Sequence, residues 1–128
     1  MILDTSAILA VLFAEDERDD FLAKIAGAER VGVGAPTVVE AAIVLGAIDG
    51  ERARPQLAGF LERARAVVVS FESVHWSGAL DAWLRFGRGR HPAALNFGDC
   101  LSYAVAAIAQ EPLLCKGDDF AQTDLALA

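Results

Sequence analysis

The sequence lacks the usual loops for gripping a nucleotide or building a serine nucleophile. GxGxxG, GxxxxGK[ST] and GxSxG are all missing, so nucleotide-dependent transfer and serine hydrolysis lose support. Cysteine is scarce. Cys100 and Cys115 are the only two, far apart and without CxxC spacing. They read as reduced core residues of a cytoplasmic protein. The two histidines, His75 and His91, lack metal-ligand spacing, and His75 reads as a partly buried helix residue. No uncharged apolar run is long enough to span a bilayer. Met1-Ile-Leu-Asp4 has no basic n-region and meets an acid at once, so no signal peptide is expected. Repeats, low-complexity tracts and linkers are absent. Positive charge is short as well, 11 Lys and Arg against 18 Asp and Glu, for a net −7. Such a chain does not hold nucleic acid by bulk electrostatics; a nucleic-acid substrate would need local neutralisation of its phosphates.

What is present suits one globular domain over residues 1–128, with 55% apolar residues and a single core. Met1–Asp4 reads as a short buried strand. Thr5 and Ser6 are natural N-cap residues for the apolar run Ala7–Ala14. A second helix fits Asp16–Ala28, with Phe21, Leu22 and Ile25 on one face. Val31–Gly34 is β-like, and Pro36 opens a helix that Asp49-Gly50 ends. Another helix fits Pro55–Ala66. Val67–Phe71 is the strand richest in β-branched residues. Ser73–Phe86 is helical, residues 87–96 form a loop, and Gly98–Gln110 is the last long helix. Leu113–Lys116 closes the series as a buried strand before the turn Gly117–Asp119. Helices alternate with apolar strands that show no period-two pattern. The expected fold class is therefore α/β, a parallel sheet with helices on both faces. Ligands bind such sheets beyond the carboxyl ends of the strands, where Asp4, Asp118 and Asp119 fall.

Three acids stand alone in segments that otherwise read as core. Asp4 is the only charge in residues 1–14, Glu40 the only one from Val31 to Ile48, and Asp99 the only one from Pro92 to Gln110. An unpartnered buried carboxylate costs several kcal/mol, comparable to the whole stability of a domain. The same segments hold no Lys or Arg, which favours a shared divalent cation. Helix capping explains Asp4 as well, a first-turn dipole contact explains Asp99 as well, and a polar turn accounts for Asp118 and Asp119. Mid-helix Glu40 has no such explanation. All-oxygen donors point to Mg²⁺ or Mn²⁺.

Ile2-Leu3-Asp4-Thr5-Ser6-Ala7, Glu40, Asn96-Phe97-Gly98-Asp99-Cys100 and Lys116-Gly117-Asp118-Asp119-Phe120 together resemble the PIN-domain signature. In detail they resemble the VapC toxins of VapBC toxin–antitoxin pairs. The resemblance spans the whole chain and extends through Thr123-Asp124. It implies a PIN-like α/β/α sandwich with a central parallel sheet. It also implies Mg²⁺- or Mn²⁺-dependent endoribonuclease activity, homodimers, and inhibition by a VapB-type antitoxin. Asp4, Glu40 and Asp99 match the firm acids. Aligning from the last strand selects Asp118 as the fourth and near-metal acid, with Asp119 as its close neighbour; aligning on Phe120 selects Asp119. Thr5 and Ser6 match hydroxyl residues that orient Asp4 or a bound water.

The expected chemistry is attack on an RNA phosphodiester by a metal-activated water, leaving 5′-phosphate and 3′-hydroxyl ends. Glu40 or the fourth acid would position that water or take its proton. Arg85, Arg88, Arg90 and His91, with Gly87 and Gly89 between them and Lys116 nearby in role, form the candidate phosphate-positioning arm. Val11, Leu12, Phe13, Phe60, Leu61 and Trp76 exceed what a small core buries, so some should lie at a homodimer contact or an antitoxin groove. An antitoxin Arg among Asp4, Glu40 and Asp99 would inhibit by occupation. Two other readings are a phosphoacceptor receiver-like domain using Lys116, and a non-catalytic PIN scaffold that binds RNA or a partner.

Overall fold

Four short strands, β1 (Ile2–Leu3), β2 (Val31–Gly34), β3 (Ala66–Val69) and β4 (Leu113–Leu114), form one sheet. Its order is β3-β2-β1-β4 and every pairing is parallel, with Ile2 opposite Gly32 on one side and Leu113 on the other. The computed structural model describes the whole chain, Met1–Ala128. The helices are α1 (Thr5–Leu12), α2 (Arg18–Gly27), α3 (Ala35–Asp49), α4 (Ala53–Arg63), α5 (Ser73–Phe86) and α6 (Phe97–Ala109).

The pleat sends neighbouring residues to opposite faces. Leu3, Val33 and Leu114 join a core with Ile8, Phe21, Leu45, Leu57 and Phe60, which come from α1–α4. Ile2 and Leu113 join a second core with Phe86, Leu95, Tyr103 and Val105, on the side of α5 and α6. The result is the expected three-layer α/β/α sandwich. Each large side chain fully buried this way contributes about 1.5–3 kcal/mol.

Several boundaries move for local reasons. Asp4, rather than Thr5 or Ser6, is the N-cap of α1, and both hydroxyl residues lie inside its first turn. Helix α4 begins at Ala53, so Pro55 sits in the first turn, where its missing N–H costs nothing. It also stops at Arg63, because Arg65 adopts a left-handed φ of 50° before β3. Strand β3 is not sandwiched as its three valines suggested. It is the sheet edge, and Val67 and Val68 are exposed. The C-terminal tail, which the sequence left without structure, returns beside β4. Leu113 N–H donates to the Ala126 carbonyl and Ala128 N–H to that of Leu113.

Candidate active site

The first strand ends one residue before the site begins. Asp4 leaves β1 in an extended conformation and turns the chain into α1. The backbone N–H and hydroxyl of Ser6 both donate to Asp4 Oδ2, at 3.0 and 2.6 Å. The same hydroxyl accepts from the N–H of Lys116 at 2.9 Å. Ser6 thus ties the end of β1 to the residues just past β4 and fixes the buried Asp4 carboxylate between them. The amino end of α1 faces that carboxylate, which suits a negative charge.

Glu40 comes from the second turn of α3, where Thr5 Oγ1 donates to its Oε2 at 2.5 Å. The sequence placed Glu40 in a core helix. In the fold it lies on the exposed face of α3, beside exposed Val39 and Ile43. The apolar residues around it therefore mark an uncovered apolar face, and burial does not account for the acid. Its carboxylate rests against the amino end of α6. A Cβ at Gly98 would stand 2.6 Å from Glu40 Oε1 and 2.8 Å from Oε2.

Asp99 is the third residue of α6 and half-buried. It closes a reciprocal cap with Asn96. Asn96 N–H donates to Asp99 Oδ2 at 2.7 Å, and Asp99 N–H donates to Asn96 Oδ1 at 3.0 Å. The sequence reading missed Asn96, although an Asn three residues before a first-turn acid is the legible form of such a cap. Burial pushes the Asp99 carboxyl above the usual aspartate range. The charges of Asp4, Asp119 and Glu40 push it further, against the Asn96 N–H. Cys115 senses the same charges. Burial first, then Asp4, Asp99 and Asp119, raise its thiol to about 12. Both cysteines are unbridged and held as neutral thiols, Cys100 at about 11, so neither is a nucleophile here.

The four acids come from four parts of the chain, and Asp4, Glu40 and Asp119 all act on Asp99, with no Lys or Arg among the causes of its shift. Asp119 is the member of the Asp118-Asp119 pair whose charge reaches both Asp99 and Cys115. Gly117, at φ 91°, turns the chain beyond β4 and carries both acids of the pair onto the surface. No three of these side chains converge tightly enough to hold an ion alone. The donor set still fits Mg²⁺ or Mn²⁺. It is all oxygen, uncompensated, and open to water at Glu40 and Asp119, and Mg²⁺ keeps several waters while binding one or two carboxylates.

The basic residues divide. Arg88 and Arg90 are exposed on the turn at Gly89, which has φ 81°. Arg85 is held away from them by Asp124 at 2.6 Å and Tyr103 Oη at 3.3 Å, over the ring of Phe86. His91 packs its ring edge on Phe86, and its Nδ1 accepts from Ala93 N–H. Lys116 is ion-paired with Glu15 and Glu17, at 2.8 and 2.9 Å. That pairing also removes the free strand-end lysine a receiver-like pocket needs. Buried His75 accepts from Glu72 N–H as part of the cap of α5.

A family model described as PIN domain matches residues 1–125. Ribonuclease VapC36 of Mycobacterium tuberculosis is 44% identical over 126 residues, covering 98% of this chain and 91% of that protein. Ribonuclease VapC30 of the same organism is 37% identical, with 98% and 96% covered. Among solved structures, the Sarcin-Ricin loop cleaving toxin VapC20 of M. tuberculosis superposes with a TM-score of 0.77 at 18% identity, covering 99% of this chain and 97% of that one. VapBC2 from Rickettsia felis, bound to a DNA fragment from its promoter, gives 0.79 at 15% identity, with 99% and 96% covered. With matching motifs, matching length and the four acids gathered at the carboxyl end of the sheet, this chain belongs to the PIN-domain family, among the VapC ribonucleases.

Proposed function

We propose that this VapC-family chain is a toxin that hydrolyses RNA phosphodiesters at the Asp4–Glu40–Asp99–Asp119 cluster with Mg²⁺ or Mn²⁺. The observation that carries the reading is the placing of Asp99 beside Asp4, Glu40 and Asp119, whose charges, after burial, push its carboxyl above the usual aspartate range with no Lys or Arg among the causes. Asp4 and Asp99 would hold the ion at the amino ends of α1 and α6, with Asp119 at the rim. The ion would supply a water of lowered pKa and charge compensation for the phosphate. Glu40, exposed and oriented by Thr5, would take the proton of the attacking water. Ser6 keeps Asp4 aimed. Arg88 and Arg90 would bind flanking phosphates, offsetting the net charge of −7. No helix is long and apolar enough to cross a membrane.

Two apolar surfaces support the partner half of the reading. A groove of about 580 Å³ lies between α1, α2 and α4, lined by Leu12, Leu22 and Phe60 and rimmed by Arg18, Arg63 and Arg65. It suits an antitoxin helix. On the other side, Phe97 (79% exposed), Ile43 (67%), Trp76 (60%) and Val39 leave a broad apolar face across α3, α5 and α6, which suits a second copy of the chain. Of the apolar residues expected at interfaces, Trp76 lies on this face and Leu12 lines the groove, whereas Val11 and Phe60 are mostly buried and meet the groove only at its floor.

The test is cleavage of total cellular RNA by the purified chain, with 5′-phosphate ends mapped. Cleavage should require Mg²⁺ or Mn²⁺, stop with EDTA, and vanish in Asp99→Asn. RNA binding without metal-dependent cleavage would overturn the enzyme in favour of the scaffold reading.

A further inference from the structure

The end of β2 and the helix α3 that follows it run past α6 in the opposite direction and meet it at three levels. At the lowest, the position of a Cβ on Gly34 would lie 3.1 Å from Val105 Cγ2. Three residues on in α3 and three back in α6, Thr37 Oγ1 and Ser102 Oγ meet at 3.1 Å. At the top, Glu40 presses on Gly98. Thr37 and Ser102 are among the few polar residues buried in this protein, at 3% and 1% exposed. They belong to neither carboxylate network. Thr37 lies one turn below Glu40, and Ser102 one turn below Asp99. A hydroxyl pair so deep is costly to leave unmade, so it resists sliding or separation of the two helices.

We propose that the buried Thr37–Ser102 hydroxyl bond is a positioning pair that sets the separation of Glu40 from Asp99. The inference rests on the ribonuclease reading above only for its catalytic consequence; the geometric claim stands on its own. The acids project from the turns of α3 and α6 adjacent to those that this bond cross-links. A shift of about 1 Å in their separation is enough to cost up to 100-fold in rate. The hydroxyl pair touches no substrate and moves no proton in the reaction.

The test uses Thr37→Val, Thr37→Ser, Ser102→Ala and the Thr37→Val/Ser102→Ala double variant of the full chain. Three readouts are compared: Tm, the kcat and KM for RNA, and the nuclear Overhauser contact between the Gly98 α protons and the Glu40 γ protons. Thr37→Val should lower kcat about 10- to 100-fold with KM within about twofold and weaken the Gly98–Glu40 contact, and Thr37→Ser should restore both. The double variant leaves no hydroxyl unpaired, so its Tm should recover while kcat stays low. A merely structural pair would recover both together, which overturns the proposal. So does an unchanged Gly98–Glu40 contact in Thr37→Val, whatever kcat does. A wild-type chain that cleaves no RNA refutes the enzymatic reading instead, and the Gly98–Glu40 contact then decides the positioning claim alone.

Discussion

The carboxylate of Glu40 occupies the space that a Cβ on Gly98 would take, so any side chain there would have to displace it. A Cβ there would fall 2.6 Å from one carboxylate oxygen of Glu40 and 2.8 Å from the other. The glycine is thus what lets an acid of α3 reach the amino end of α6. Gly98→Ala should drive Glu40 off its contact with Thr5 or push α6 outward. RNA cleavage should fall about 10- to 100-fold in kcat, with the fold retained. Steady-state kinetics with circular dichroism as the fold control checks this; an alanine variant with full kcat contradicts the assigned role of Glu40.

Asp99 makes the metal-free protein sensitive to pH in a defined direction. Its carboxyl is raised above the ordinary range in the fold, so the folded state binds the proton more tightly than the unfolded chain does. The associated stability is complete below the ordinary aspartate range and is lost as pH rises through the raised value. In EDTA, the Tm of the wild type relative to Asp99→Asn should therefore decline over that interval. At neutral pH the variant should melt higher than the wild type. Mg²⁺ should raise the wild-type Tm and leave that of Asp99→Asn nearly unchanged. Calorimetry across pH, with and without metal, decides it, and a lower Tm for the variant in EDTA would show that its caps outweigh the repulsion.

The layers and the parallel pairing were legible because apolar strands and amphipathic helices alternate, and because strand residues such as Val33 and Leu114 have no charged neighbour to compete for the core. Asp4, Glu40 and Asp99 were legible as lone acids. The reason given for Glu40 was nevertheless wrong. Val39 and Ile43 surround it with apolar chain, yet they face outward, and a one-dimensional pattern does not distinguish a covered face from an uncovered one. Asp118 and Asp119 were indistinguishable because a one-residue register past β4 depends on the left-handed turn at Gly117. Arg85 and Lys116 looked free because their partners, Asp124 and Glu15 with Glu17, are distant in sequence.

The arm should act through Arg88 and Arg90 rather than Arg85. The double variant Arg88→Ala/Arg90→Ala should weaken RNA binding about equally across sequences. The slope of log affinity against log salt should flatten by about 0.7 for each lost contact to single-stranded RNA. Fluorescence anisotropy at several salt concentrations measures this, and an unchanged slope removes the arm from the interface.

Asp124 anchors the C-terminal tail through Arg85 and Tyr103. The Tyr103 hydroxyl, then Arg85, hold its carboxyl below the usual range. Its contribution is present above the ordinary aspartate range and is lost as pH falls through the lowered value. Asp124→Asn should lower Tm at neutral pH and converge with the wild type in acid. Parallel melting curves at every pH would mean that the anchor contributes nothing.

The two apolar surfaces lead to separable outcomes for partners. Ile43 and Trp76 are exposed on one continuous face, and placing charge there opposes burial against a second copy. Ile43→Asp should convert a dimer to a monomer in sedimentation velocity without changing the fold. A wild type that sediments as a monomer at high concentration removes the dimer. The antitoxin claim turns on the acids instead. Asp4, Glu40, Asp99 and Asp119 carry negative charge that no basic side chain of this chain offsets, so an inserted Arg and a divalent cation should compete for it. Inhibition by an antitoxin segment should weaken when that Arg becomes Ala, and excess Mg²⁺ should relieve it. Binding itself should persist in both cases, because the apolar helix would remain in the groove between α1, α2 and α4. Undiminished inhibition by the Arg→Ala segment would place the block in that groove and away from the carboxylates.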